Sequence, residues 1–362
     1  MFFSAHSFHR RCAARRIHTM NGTSRCAFSV ALIFTTLALL VFLDGLAQKS
    51  SAMAAVPLFH LGRNMMAPSR WMPRKASNPL LFVSNGTDRV YIFRQGGKNK
   101  LVGQITGLSS PAGMATDAAA DLYVTNSTAS PTVPVYAPPY TSGPYRTLST
   151  LQSYLPYSVA VSRKGLVAVA ITCIDGSCYP EAFVQFFARA STTACATVPL
   201  VNSQYAPYYV AFDHAGNLFA VGQFGSGPYM SEISGGCSAT TAMPLTAGNG
   251  NTLGPLSAVE VNQNDQIAML DSDHGYLYTY NHPRNGSLGN PVYTTGGLDG
   301  AVDFAFTASG RDLFAIINSA SVSELDYPSG LLDKTFNLPS GGGHRLTVAP
   351  ALVPQVRRFP AE

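Results

Sequence analysis

The chain has 362 residues, 46% of them hydrophobic and 12% charged, which is enough apolar material for a large core and far from a disordered composition. Its formal charge is +5, but residues 1–47 hold five arginines against one acid, while from residue 79 onward 14 basic residues face 18 acidic ones. The folded body is therefore weakly acidic, which removes the electrostatic case for nucleic-acid binding.

Residues 1–47 read as an export leader. Arg10, Arg11, Arg15, Arg16 and Arg25 precede an apolar run from Ala27 to Leu43, which Asp44 ends. The run is long for a signal and short for a membrane span, so a cleaved signal and a retained anchor both stand. Small residues at Gly45, Ala47, Ala52 and Ala54 favour cleavage. A start at Met20 would give a signal of ordinary length, so Met1 and Met20 are both open as the first residue. The expectation is a secreted or periplasmic protein that meets a membrane only through an uncleaved leader. Residues 48–78, with Lys49, Arg63, Arg70, Arg74 and Lys75 among prolines and methionines, read as a linker, and 351–362 as a C-terminal tail.

Between them one unit recurs: an apolar strand, a polar turn and a second apolar strand. In chain order the pairs are Gly113–Asp117 with Leu122–Asn126, Ser158–Ser162 with Leu166–Ala170, and Tyr209–Asp213 with Leu218–Gly222. Ala258–Asn262 with Ile267–Asp271 and Asp303–Thr307 with Leu313–Ile317 follow. The second strands start at 122, 166, 218, 267 and 313, steps of 44, 52, 49 and 46 residues. That is the length of a four-stranded propeller blade, which can bury both faces only by stacking on its neighbours around a ring. Val133–Tyr136 with Arg146–Leu148, and Leu277–Tyr280 with Val292–Thr294, supply outer strands. Leu81–Asn85 matches a second strand that lacks its first, and Arg345–Ala349 a first strand that lacks its second. Together they make a composite blade that closes the ring and removes its free edges. The fold expected over 79–350 is all-β, a six-bladed β-propeller; a seventh blade stays open if residues 56–78 contain strands.

These units, and Pro111-Ala-Gly-Met-Ala-Thr-Asp117 followed by Asp121-Leu-Tyr-Val-Thr-Asn126 above all, resemble NHL-type and TolB-like six-bladed propellers, a superfamily that includes the gluconolactonase class. The resemblance implies the fold; it does not imply one activity, because the fold hosts binding proteins, lactonases and lyases.

Four cysteines lie beyond the leader. The Asp175-Gly176 turn between Cys173 and Cys178 suits a local disulfide, and Cys195 and Cys237 stand at equivalent places in neighbouring repeats and suit a second. No Cys-x-x-Cys or paired histidine supports zinc. In propellers of this kind the loops after second strands and those leading into first strands share a face around the axial channel. That face would carry Asn85, Asn126, Asp271 and Asn318 from strand ends, and Tyr154, Tyr157, Tyr205, Tyr208 and Tyr209 from the leading loops. Amides and tyrosines suit a glycan, a peptide or a protein partner, although Asn and Asp are also ordinary turn residues and Tyr an ordinary strand residue. Gly113, Ser158, Tyr209, Ala258, Asp303 and Arg345 align near the start of the innermost strand, which puts Asp303 and Arg345 in adjacent blades as a charge pair.

The primary expectation is a binding propeller without a cofactor. The alternative is a metal-dependent lactonase or lyase holding one divalent cation such as calcium, for which Asn126, Glu260 and Asp271 are chemically suitable. Hydrolase, phosphate-loop and H-E-x-x-H signatures are missing from the sequence. Asn85, Asn126 and Asn285 fit glycosylation sequons that turn chemistry also explains.

Overall fold

The computed structural model describes residues 79–349 apart from 129–130, 174–181, 201–205, 225–226, 248–252, 255 and 340–341, with backbone alone at 206–208, 223–224 and 227–228. Its strands form six four-stranded antiparallel sheets. The first sheet joins β1 (Leu80–Ser84), β2 (Arg89–Arg94) and β3 (Leu101–Thr106) to the last strand of the chain. The second holds β4 (Pro111–Thr116), β5 (Leu122–Asn126), β6 (Thr132–Tyr136) and β7 (Arg146–Ser149), and the third β8 (Tyr154–Val161), β9 (Val167–Cys173), β10 (Ala182–Phe187) and β11 (Ala196–Pro199). The fourth holds β12 (Ala206–Phe212), β13 (Leu218–Phe224), β14 (Gly227–Ile233) and β15 (Met243–Pro244), the fifth β16 (Leu256–Val261), β17 (Ile267–Asp271), β18 (Tyr276–Tyr280) and β19 (Tyr293–Thr295). The sixth holds β20 (Ala301–Phe306), β21 (Asp312–Ile317), β22 (Ser321–Asp326) and β23 (Leu332–Asn337), after which β24 (Arg345–Val348) returns to β1. The innermost strands β24, β4, β8, β12, β16 and β20 pack in that cyclic order. The fold is a six-bladed propeller.

Second strands are apolar without interruption because both of their faces are covered. In β9, Val167, Val169 and Ile171 join the core layer toward the second blade, while Ala168 and Ala170 join the layer toward the fourth. In β1, Leu80 and Phe82 face one neighbour and Leu81 and Val83 the other. The core is thus a set of apolar layers between blades. Outermost strands carry the polar burden of an exposed edge, as in β23, where Asp333 and Lys334 sit on a largely exposed strand.

The closing blade pairs Leu81 with Val348, Phe82 with Thr347, Val83 with Leu346 and Ser84 with Arg345. First strands start earlier than their apolar cores suggest, because β4, β8, β12, β16 and β20 each carry a register shift, at Pro111/Met114, Pro156/Ser158, Pro207/Tyr209, Leu256/Ala258 and Ala301/Asp303. The bulge sits beside the aligned position in all five and re-aims the chain entering the channel.

Cys195, just before β11, and Cys237, just after β14, form a disulfide between neighbouring blades, 42 residues apart in sequence. Cys173 is also disulfide-linked; Cys178, its expected partner, lies outside the described residues. Cross-linking a loop of that length removes about 4 kcal/mol of unfolded-state entropy. Cys195→Ala/Cys237→Ala is therefore expected to lower the Tm by about 5 °C or more in a calorimetric scan, and an unchanged Tm would show that the outer strands of these blades contribute nothing to global stability.

Candidate functional site

The axial channel contains a cavity of about 390 Å³ lined by all six innermost strands. Strand register divides it into layers. The deepest among the described residues is the aligned set Gly113, Ser158, Tyr209, Asp303 and Arg345, and no described residue preceding these in their strands lines the cavity. Arg345 and Tyr209 stand on blades three steps apart in a ring of six, so they face each other across the axis. The Arg345 guanidinium lies 4.2 Å from the Tyr209 ring centre, and the Tyr209 hydroxyl donates 3.0 Å to the Val302 carbonyl on a third blade. This cross-bar is buried and forms the floor of the cavity. Arg345 Nε has no hydrogen-bond partner among the described residues. Asp303 and Arg345 occupy adjacent blades as the alignment expects, but no salt bridge joins them among the described residues. Asp303 Oδ2 instead accepts the Leu346 N–H at 2.7 Å, tying β20 to the closing strand. Burial pushes the Asp303 carboxyl up to about 7, against the opposing pull of the Arg345 charge.

Two residues further along each strand, the same repeat position carries Ala115, Ala160, Ala211, Glu260, Ala305 and Thr347. Five small residues and one glutamate form this layer. Glu260 Oε2 accepts the Phe306 N–H at 2.9 Å, and Oε1 has no partner among the described residues. The side chain sits deep in the ring while part of it meets the cavity. Burial pushes its carboxyl up to about 8, with the Asp303 charge adding to the rise and the Phe306 N–H opposing it.

The mouth of the cavity lies among the turns between first and second strands, at Arg163, His214, Gln263 and Ala308. An Arg163 Nη2 donates to His214 Nε2 at 2.6 Å, which makes that nitrogen the acceptor and leaves the ring proton on Nδ1, 3.4 Å from Asp265 Oδ1. His282 Nε2 reaches Asp265 Oδ2 at 2.9 Å, and its Nδ1 lies 3.7 Å from Asp213 Oδ2. Burial acts to raise the Asp265 carboxyl, but the His214 N–H and the His282 ring outweigh it and hold the group below its ordinary value. Four turn residues and one loop histidine from three blades thus make a continuous polar chain beside the mouth. The sequence shows His214 in a turn on this side; the relay it joins depends on contacts between blades that no single repeat displays.

Four of the residues expected on the opposite face make contacts within loops there. Asn85 Oδ1 accepts the N–H groups of Thr87, Asp88 and Arg89, closing its own turn. Asn126 Oδ1 accepts Ser109 N–H at 3.3 Å, and Asp271 Oδ2 accepts Gly254 N–H at 2.8 Å; each ties the loop leading into its own blade. Asp271 also binds His274 through the backbone N–H and through Nδ1 at 2.9 Å. Asn318 adopts a positive φ of 50° and its backbone N–H donates to Gly300 in the same kind of loop. Tyr157 lies at the bulge of β8, half-buried, and the Tyr208 side chain is outside the described residues. Asn126, Glu260 and Asp271 are not brought together: Asp271 pairs with Leu256 at the start of β16, Glu260 with Ala268 near its end, and Asn126 belongs to another blade. Asn126 lines a second cavity of about 410 Å³ beside β3 and β6, which has no carboxylate or cationic side chain among its lining residues. Among the described residues no three His, Cys, Asp or Glu side chains converge in a metal-binding group.

No family model matches this chain, and no curated protein matches it. Among solved structures it is similar to a protein of unknown function from Bacteroides caccae, with a TM-score of 0.55 and 12% identity over 75% of this chain and 99% of that one. It is also similar to hydrazine synthase from Kuenenia stuttgartiensis, with a TM-score of 0.49 and 14% identity over 70% of this chain and 74% of that one. The first likeness concerns the fold.

Proposed function

We propose that the protein is an exported binding propeller, related to the NHL-type and TolB-like propellers, whose ligand site is the axial well opening among the first-to-second strand turns. The observation that carries this reading is an axial cavity of about 390 Å³, the size of a small-molecule site, with a glutamate at the one position where the other repeats keep alanine or threonine. The disulfide between blades and the leader both fit export. Among the described residues no helix is long and apolar enough to cross a membrane.

The binding reading is favoured over a metal-dependent lactonase or lyase because the well offers one free carboxylate oxygen instead of a converging set of oxygen ligands. A thermal-shift screen of polar metabolites and divalent cations decides between them. A ligand of the well is expected to raise the Tm by several degrees, and Ala308→Trp, at an exposed turn on the mouth, is expected to weaken that ligand at least about tenfold. Hits indifferent to Ala308→Trp would place binding elsewhere, and a stoichiometric bound cation would favour the enzyme.

A further inference from the structure

We propose that the well takes a small organic cation, a protonated amine, with its charged nitrogen held by Glu260 Oε1. The inference rests on the well being the ligand site and adds the chemical class that fills it.

The repeat supplies the first argument. At the middle layer the fold requires only a small side chain, and five of six blades supply one. A glutamate there introduces a carboxyl where desolvation is costly, and its single hydrogen bond, to the Phe306 N–H, recovers part of that cost through one oxygen. The second argument is charge. Of the two cations near the axis, Arg345 lies on the Tyr209 ring one layer below Glu260 and donates to the His344 carbonyl, with its Nε unpartnered among the described residues, and Arg163 donates to His214 at the mouth. Among the described residues no lysine, arginine or histidine lies within salt-bridge distance of Glu260. Asp303, the only other carboxyl lining the well among the described residues, accepts from the closing strand and shares the Arg345 field. Third come the walls. Ala115, Ala160 and Ala211 line the well at the depth of Glu260 and leave room for the carbon skeleton of an amine. Strand rise places Glu260 roughly 10 Å inside the mouth turn at Gln263, so an elongated chain reaches it better than a bulky ring.

Binding has a proton balance. Burial holds the Glu260 proton up to about pH 8. An incoming ammonium therefore displaces it: the carboxyl ionises, an ion pair forms with the amine, and one proton leaves to the buffer.

Three probes share one carbon skeleton and differ in charge: 1,5-diaminopentane, pentane-1,5-diol and glutarate. Each is titrated into protein labelled at alanine methyls, with Ala115, Ala160 and Ala211 reporting from the well, and calorimetry in two buffers of different ionisation enthalpy counts protons. The expected result is that the diamine alone shifts these methyls at millimolar concentration, releases a proton near neutral pH, and loses at least about tenfold in affinity in Glu260→Gln. Equal or tighter binding of the diol or glutarate, or undiminished diamine binding by Glu260→Gln, would overturn the cation assignment and leave the well standing. No methyl shift with any probe would also overturn it, and the screen with Ala308→Trp then decides the well separately. Folding of the variant is checked by the alanine methyl spectrum itself.

Discussion

A chain ending at His344 is expected to lose the cooperative fold, seen as the disappearance of its thermal transition and of most slowly exchanging amides. Removing β24 deletes the four-residue ladder with β1 and the buried side chain of Leu346. It strips Asp303 of the Leu346 N–H and Thr116 of the Val348 carbonyl, and both partners lie in the channel wall. Ladder bonds at about 1 kcal/mol each, a buried leucine at roughly 2 kcal/mol and a buried carboxyl deprived of one of its two backbone donors at about 1–3 kcal/mol together approach the 5–15 kcal/mol that holds a typical domain. A chain ending at Pro350 keeps every one of these contacts and is expected to melt where the full chain does. A synthetic peptide covering 342–350 added to the shorter chain should restore the transition in a concentration-dependent way. A normal melt of the chain ending at His344 would mean that the ring closes without its composite blade.

The second large effect is a dependence of stability on pH, set inside the channel. Glu260 and Asp303 titrate at about 8 and about 7 in the folded protein, well above their ordinary values of 4.5 and 3.8. A raised carboxyl favours the folded state while both states keep the proton, and the advantage falls once the unfolded chain ionises and the folded one cannot. Stability contributed by these groups is therefore full below about pH 4, declines through the neutral range, and is lost by about pH 8. At about 1.4 kcal/mol per unit of displacement, the two together amount to several kcal/mol, with Glu260 discounted for the part of it that meets water in the channel. Glu260→Gln keeps the shape and removes the ionisation. It is expected to raise the Tm by about 5 °C near pH 8 and by little near pH 4, flattening the curve. Parallel Tm curves for the two proteins across that range would show that channel water solvates Glu260 well enough to ionise it at its ordinary pH.

The architecture was readable because each blade repeats one pattern and because the two orphan strands at the ends of the repeat region complement each other. Even the shared position of Gly113, Ser158, Tyr209, Ala258, Asp303 and Arg345 survives as the layer beside the bulges. What the pattern hides is anything that spans the ring. The Tyr209–Arg345 cross-bar joins blades separated by three repeats, so which end of the channel is closed depends on ring geometry and not on local sequence. Asn126, Asp271 and Asn318 are visible as polar residues after second strands, yet the same spacing serves a ligand face or loop fastening equally well, and spacing alone does not separate the two. Glu260 stands out in the sequence as a departure from the repeat. Grouping it with Asp271 fails on register alone, because Asp271 pairs with Leu256 and Glu260 with Ala268, at opposite ends of β16.

The composite blade also decides where attachments sit. β24 runs toward the mouth side of the ring and β1 starts there, with the Ala349 N–H donating to the Leu80 carbonyl. A tag fused directly to the propeller at Pro79 or Ala349 therefore starts beside the opening of the well. A sample captured on a sensor by a tag at either end presents its opening toward the support, where access is hindered, while a tag placed in a loop on the far side, such as the turn at Ser272–Gly275, leaves it facing solution. Binding measured both ways would differ in on-rate for a ligand of the well and agree for a ligand of the blade rims.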